Sequence, residues 1–371
     1  MFSEKKVIDF QGDFQRLLQK VEKPTLVVNR KICQRNIQRM ATKARKSGTR
    51  FRPHFKTHQS AVIGEWFREA GVTAITVSSV EMAEYFAAHG WKDITIAFPV
   101  NWREIERLHR LAEQIHLNLL VESLESVRFL ASRLTHPVWL WIKIDTGYHR
   151  TGISFREVPT VQKIIDEIET KSPFTCEGLL THSGHSYQAA SPEEIVRIYE
   201  ETVSRLKHLT AHLNSSQALQ ISIGDTPTCS VLDVFREVDE IRPGNFVFYD
   251  LMQLAIGSCR WEDIACMVAC PVVAVHPHRQ TAVIYGGAVH LSKEFLINAQ
   301  GRPYFGKIVK IEETAWGELL AEIRVVQLSQ EHGIIHPLPV RQPAIKPGDV
   351  VLIAPVHSCL SVDVISQYYI F

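Results

Sequence analysis

Two periodicities take turns along the chain from about residue 24 to 225. Short runs rich in apolar and β-branched residues read as strands. They are TLVVN (25–29), RFRPHFK (50–56), TAITVSS (73–79), ITIAFP (94–99), LNLLVES (117–123), VWLWIKID (138–145), TCEGLLTHS (175–183) and LQISIGD (219–225). Between them lie segments such as IGEWFREAG, EMAEYFAAHG, NWREIERLHRLAEQI and PEEIVRIYEETVSRLKHL, whose apolar residues return every three or four positions, as in amphipathic helices. Strands that alternate with helices need crossover connections, so they pair in parallel. Eight is the number that closes a (β/α)8 TIM-type barrel. A doubly wound open sheet is the competing arrangement, but the GxGxxG fingerprint of its nucleotide-binding members is absent.

The pattern changes near residue 262. The segments ACMVACPVVAVHP, TAVIYGGA, GKIVKI, ELLAEIRVVQLS and GDVVLIAP are rich in Val, Ile and turn residues and carry little helical periodicity. They predict an antiparallel β domain. The chain therefore divides into an α/β barrel over residues 22–255 and a β domain over residues 256–371, with residues 1–21 packed on the latter.

Composition narrows the function classes. The 371 residues exceed one ordinary core, which agrees with two domains. Lys and Arg number 41 against 40 Asp and Glu, a net charge of +1 that gives no reason to expect nucleic acid or a membrane surface. No apolar run approaches the roughly 20 residues that span a bilayer, and MFSEKKVIDF lacks the features of a signal peptide. Seven cysteines without a CxxC pair argue against a disulfide framework and fit a reducing cytoplasm.

The candidate chemistry begins at Arg52-Pro53-His54-Phe55-Lys56-Thr57-His58. A lysine among histidines and close behind Arg50 and Arg52 is expected to have a depressed pKa, because neighbouring cations disfavour its ammonium form. A lysine that is neutral near pH 7 can attack an aldehyde and form a Schiff base. Active sites of parallel barrels lie at the C-terminal ends of the strands. Lys56 ends the second predicted strand. Asp145-Thr146-Gly147-Tyr148-His149-Arg150-Thr151-Gly152 follows the sixth, where Asp and Gly equally suit a simple turn. Thr181-His182-Ser183-Gly184-His185-Ser186-Tyr187 and Ser222-Ile223-Gly224-Asp225-Thr226-Pro227-Thr228 follow the seventh and eighth, with Arg242-Pro243-Gly244-Asn245 shortly after. Gly, Ser and Thr beside free backbone amides are what a phosphate-binding nest requires. Late in the chain His357 and Cys359 form a His-x-Cys pair. On a strand, positions i and i+2 point the same way, and imidazole with thiolate suits zinc.

Taken in order, RPHFKTH, DTGYHRTG, SIGDTPT, RPGNFVFYD and PVHSC resemble the alanine-racemase-like barrel enzymes that use pyridoxal 5'-phosphate (PLP), in particular the D-threonine aldolase and D-serine dehydratase branch. The resemblance runs from about residue 22 to the end. It implies that Lys56 holds the cofactor's aldehyde and serves as base at the substrate's Cα. It implies that Arg150 lies near the cofactor's phenolic oxygen, that His182 and Tyr187 flank the ring, and that Gly224, Thr226, Gly244 and Asn245 form the phosphate cup. His357 and Cys359 match the metal ligands of eukaryotic-type D-serine dehydratases, where aldolases tend to carry His-x-Asp. The chain departs from the pattern at Tyr285–Lys293, in place of a family "DAG" or "DxG". Ser329–Gly333 stays close to a family Glu-His-Gly, which brings His290 and His332 in as candidate acid/base groups.

The resemblance implies a PLP-dependent, metal-assisted lyase acting on a D-configured β-hydroxy amino acid, with zinc the expected divalent metal and a homodimer the expected assembly. The resemblance also admits an amino-acid racemase on the same scaffold, which would need a second base, usually a β-domain tyrosine from a partner subunit, for which Tyr285 and Tyr304 are candidates. A non-catalytic PLP-homeostasis protein would resemble the barrel alone.

Overall fold

The structure is a computed structural model, and it describes residues 5–338 and 345–371. Eight strands pair in parallel in the spatial order Arg50–Phe51, Glu240–Ile241, Gln220–Ile223, Phe174–Leu180, Val138–Asp145, His116–Val121, Asp93–Pro99 and Ile75–Val77. A parallel bridge between His54 and Thr76 joins the two ends of that order. The bridge is held by hydrogen bonds from Thr76 N–H to the Pro53 carbonyl (2.9 Å) and from Phe55 N–H to the Thr76 carbonyl (2.8 Å). The predicted α/β barrel is therefore present.

Its membership differs from the sequence expectation in one respect. Thr25–Val28, read as the first barrel strand, pairs instead antiparallel with Cys266–Ala269 and parallel with Tyr368–Ile370. All four of its residues are buried, so a continuous apolar run marks a fully covered strand without saying which sheet covers it. Glu240–Ile241 makes up the count of eight. It is only two residues long and carries a buried glutamate, which hides it from a hydrophobic pattern.

Helices cover the barrel for legible reasons. Asn29, Ser60, Ser79, Ser123 and Ser191 each accept a hydrogen bond from a backbone amide of the first turn that follows. The long helix Arg30–Ser47 buries Cys33, Ile37, Met40 and Ala44 on one stripe and ends at Gly48, whose φ of 66° favours glycine.

The C-terminal part forms a second closed sheet. Cys266–His276, Thr281–Tyr285, His332–His336, Trp316–Leu328, Gly306–Ile311 and Val350–Pro355 follow one another antiparallel, and the last pairs back with the first. Lys6–Asp9 pairs in parallel with Gln367–Ile370 beside this sheet. The tail is buried: Tyr368 donates its hydroxyl to the His58 carbonyl at 2.9 Å, which ties the end of the chain to the turn carrying Lys56. All seven cysteines are free thiols. Among the described residues no helix is long and apolar enough to cross a membrane.

The end of the barrel away from the mouth is closed by charge. Arg52, fully buried, meets Glu240 at 2.5 Å and Asp93 at 2.5 and 3.2 Å. Glu240 also takes the Ser222 hydroxyl (2.7 Å), and Asp93 the Asn118 amide (3.0 Å). Removing one partner of a buried ion network strands the others. Arg52→Ala is expected to lower stability by about 3–5 kcal/mol in denaturant unfolding, against a smaller loss in a double variant that also carries Glu240→Gln.

Candidate active site

Because the strand list changes, so do the loop positions. Lys56 follows the first barrel strand, Asp145–Gly152 the fifth and Thr181–Tyr187 the sixth. Ser222–Thr228 and Arg242–Asn245 then belong to the seventh and eighth strands, the usual loops for a phosphate in such barrels. All of these loops lie at the same end of the barrel.

The segment around Lys56 is pinned from both sides. Phe55 enters an aromatic cluster with His58, Phe67, Phe86 and Trp91, at ring-centroid distances from 4.4 to 5.1 Å. Its neighbour Lys56 stands in the mouth, open to water yet ringed by protein. That crowding lowers the pKa of its ammonium; Cys359 opposes the shift and Arg150 adds to it. The cause thus differs from the one read in sequence. Arg52 serves the opposite end of the barrel, and Arg50 faces Glu240 and Glu177 at 3.7 and 3.9 Å. His58 is structural: burial drives its pKa to about 3.

Gly244 lets two loops meet. A Cβ there would stand 2.8 Å from the His54 carbonyl oxygen and 3.0 Å from Thr57 Oγ1. The backbone after the eighth strand therefore lies directly beside the lysine turn. In this loop and its neighbour, the N–H groups of Gly224, Asp225, Gly244 and Asn245 have no partner among the described hydrogen bonds. Four free amides on two adjacent loops suit a phosphate. The Thr226 amide is engaged, donating to the Tyr187 hydroxyl at 3.1 Å. The Asn245 side chain is also spoken for, its amide donating to Asp250 (2.7 Å), Ser358 Oγ (3.0 Å) and Cys359 Sγ (3.6 Å). From Gly244 and Asn245 a phosphate would meet backbone.

His182 hydrogen-bonds through Nδ1 to the Gly224 carbonyl, an acceptor only, so Nδ1 carries a proton. Burial, then Lys56, hold its pKa well below the usual range, so the ring is neutral and Nε2 offers a lone pair. Burial raises the pKa of Tyr187 and keeps its hydroxyl protonated. Asp145 accepts the N–H groups of Gly147, Tyr148 and His149 at 2.9 to 3.1 Å, so its loop is a carboxylate-capped turn. That turn presents Arg150, whose guanidinium lies 5.1 Å from the Tyr148 ring centroid.

The His-x-Cys pair is present but not on a strand. His357 caps the helix Ser358–Val364 through Nδ1, which accepts from Leu360 N–H at 3.3 Å, and Cys359 lies in the first turn. The i, i+2 strand argument therefore fails. What replaces it is a capped turn in which Nδ1 accepts, so Nε2 carries the ring proton and His357 becomes a metal ligand only when that proton or the cap bond is given up. Cys359 Sγ is held by Thr57 Oγ1 at 3.3 Å, placing the thiol beside the lysine turn. Burial raises its pKa and the Lys56 cation lowers it. An imidazole nitrogen and a thiol at the mouth fit a borderline-soft divalent ion. Of the other candidates, Tyr285 pairs with His332, and His290 stands edge-on to Tyr285 at 5.5 Å and 3.8 Å from Glu331.

Sequence reasoning missed Lys143. It is buried inside the barrel, donates to the Ile144 carbonyl at 3.1 Å, and has its pKa lowered to about 7 by burial, then by Arg242 and Arg150. The signal was available as a lone lysine inside VWLWIKID. Arg242, also buried, donates to Ser222 Oγ (2.7 Å) and the Thr181 carbonyl (2.5 Å) and supports the two loops below the free amides.

Comparison with known proteins agrees with this fold. Residues 28–251 match the family described as "Alanine racemase, N-terminal domain", and residues 265–371 match "Putative serine dehydratase domain". The D-serine dehydratase of Dictyostelium discoideum is 28% identical over 94% of this chain and 92% of its own length. The D-threo-3-hydroxyaspartate dehydratase of Delftia sp. (strain HT23) is 28% identical over 86% and 85%. Its solved structure superposes with a TM-score of 0.81 over 95% of this chain and 94% of that one, at 26% identity. A mutant of the same dehydratase, with a TM-score of 0.82 over the same shares and at 26% identity, is described as a metal-free form.

Lys143 gives a pH signature. In the unfolded chain it titrates near 10.4, and in the cofactor-free fold near 7. Between these values the unfolded state holds the extra proton, so stability rises with pH. Lys143→Met is expected to remove that rise, on the order of 1.4 kcal/mol per pH unit. Urea unfolding of the cofactor-free chain between pH 6 and 10 measures it.

Proposed function

We propose that this chain, which belongs to the alanine racemase N-terminal domain family, is a PLP-dependent, metal-assisted lyase acting on a D-configured β-hydroxy amino acid. The observation that carries the reading is one juxtaposition. A lysine with a lowered pKa stands beside four free backbone amides on one side and a thiol–imidazole turn on the other.

When bound, PLP supplies a sink for charge developing at the substrate's Cα, and a divalent metal supplies a Lewis acid for the β-hydroxyl. The remaining work belongs to the protein. Lys56 Nζ would hold the cofactor's aldehyde carbon and, with the substrate's amine in its place, would take the Cα proton. Its lowered pKa keeps the amine neutral at a pH where an ordinary lysine is charged. The amides of Gly224, Asp225, Gly244 and Asn245 hold the phosphate, and Thr226 holds Tyr187 in place. Arg150, carried on the Asp145-capped turn, is the cation for the phenolic oxygen. His182 and Tyr187 flank the ring, both neutral, so neither adds charge to it.

The imidazole of His357 and the thiolate of Cys359 would hold the metal, zinc by the softness of the donors, with the cap bond to Leu360 released or the ring proton given up. Two protein ligands leave positions for the substrate's hydroxyl. Loss of that hydroxyl with the Cα proton leads to an α-keto acid and ammonia; breaking Cα–Cβ instead yields glycine and an aldehyde. The thiol in place of a carboxylate favours the dehydratase outcome.

Purified protein loaded with PLP and zinc is expected to convert D-serine or D-threonine to keto acid, and a chelator to suppress it. Lys56→Ala is expected to lower turnover about 10^3-fold or more. Cys359→Ala is expected to lose the mouth metal and most turnover while keeping the PLP absorbance. Borohydride reduction followed by peptide mapping should place the label on Lys56. An unlabelled Lys56 in active protein, or no product from either amino acid, overturns the reading.

A further inference from the structure

We propose a separate metal site at the opposite end of the barrel, formed by His109, Glu113 and His136, that takes a divalent transition ion of the zinc type. His109 and Glu113 sit four residues apart at the end of the helix Ile105–Ala112, so they share one face. His136 lies in the short connection between the helix Leu124–Ala131 and the strand Val138–Asp145, where that strand begins. The cluster is therefore at the N-terminal ends of the strands, away from Lys56, and its existence does not depend on the function proposed above.

The geometry is that of ligands more than of an ion pair. Nε2 of His109 and Nε2 of His136 both aim at the same Glu113 oxygen, at 3.4 and 3.3 Å. A good N–H···O hydrogen bond runs about 2.7–3.2 Å. The edge of a tetrahedron around zinc, with ligand distances of about 2.0–2.1 Å, is about 3.3–3.4 Å. All three donor atoms lie within 4.8 Å of one another. The two rings approach at 72° with centroids 5.2 Å apart, converging rather than stacking. Both histidines are partly exposed, which leaves a coordination position for water. Two imidazoles with one carboxylate form a recognised zinc set, and copper or nickel would compete for it. A bound ion would staple the helix to the entry of the neighbouring strand.

The test uses the untagged full-length chain. In Cys359→Ala, whose mouth thiol is gone, Zn2+ titrated against a chromophoric chelator is expected to show one tight equivalent. Adding His136→Ala, or in a second variant His109→Gln, is expected to weaken that equivalent at least about tenfold, with circular dichroism unchanged. Co2+ bound to Cys359→Ala should give visible d–d bands without sulfur-to-cobalt charge transfer. In the otherwise native chain His136→Ala should lower bound zinc by one equivalent and leave D-serine turnover in place. Zinc binding unaltered by both variants, or no bound equivalent in Cys359→Ala, overturns the site.

Discussion

Asp250 is the constraint on which the site depends. It is buried, and burying a carboxylate is costly unless its oxygens are satisfied. Here Oδ2 takes the amide and hydroxyl of Ser358 at 2.9 and 3.2 Å and the Asn245 side chain at 2.7 Å, while Oδ1 caps the next helix through Gln253 N–H at 3.0 Å. Ser358 is the middle residue of the His-x-Cys pair, and Asn245 belongs to the loop with the free amides. A single charge therefore fixes a turn from the β barrel against a loop from the α/β barrel. The adjacent bond from Met252 N–H to the Val356 carbonyl, at 3.1 Å, reinforces the joint. Neither closed sheet builds the mouth alone.

Charge at that mouth is unbalanced in one direction. Lys56, Lys143, Arg150 and Arg242 gather there, and each appears among the causes that lower a neighbour's pKa or has its own lowered by others. The nearby carboxylates are committed elsewhere: Asp145 to its own turn, Asp225 to Ser186 and Thr228. Burial first, and then Lys56, keep His54 and His182 neutral. A site with surplus cations and free amides is stable when an anion enters it. A phosphate is that anion in the function proposed here, and its arrival would return part of the proton affinity that crowding removes from the lysines.

Much of this was legible in residue order. The alternation of strands and helices gave the barrel, and the change near residue 262 gave the second sheet. What stayed hidden has physical causes. Thr25–Val28 is buried throughout, so its pattern carried no information about its partner. The strand Glu240–Ile241 is too short for a period of two to register. His357 reads as the end of a strand because its capping role depends on Leu360, a contact the i, i+2 spacing does not encode. Arg50 and Arg52 are near Lys56 in sequence, but they face Glu177, Glu240 and Asp93 at the far end of the barrel. Arg150, almost a hundred residues away, is the cation that counts.

The two sheets also divide the chemistry. The barrel supplies an amine, neutral imidazoles and amides, which would serve racemisation as well as elimination. Racemisation further needs a base opposite Lys56, and the tyrosines considered for that role are engaged elsewhere in this chain. Tyr304 is buried beneath the cations of Lys307 and Arg324, at 5.5 and 5.7 Å, and Tyr285 stands edge-on to His290. What the β barrel brings to Lys56 is instead Cys359, close enough that each shifts the other's pKa. An imidazole–thiol turn has no use in moving a proton from one face of Cα to the other. Holding the metal proposed above, it would have one in drawing a hydroxyl off the next carbon, and that is why the second sheet argues for a lyase.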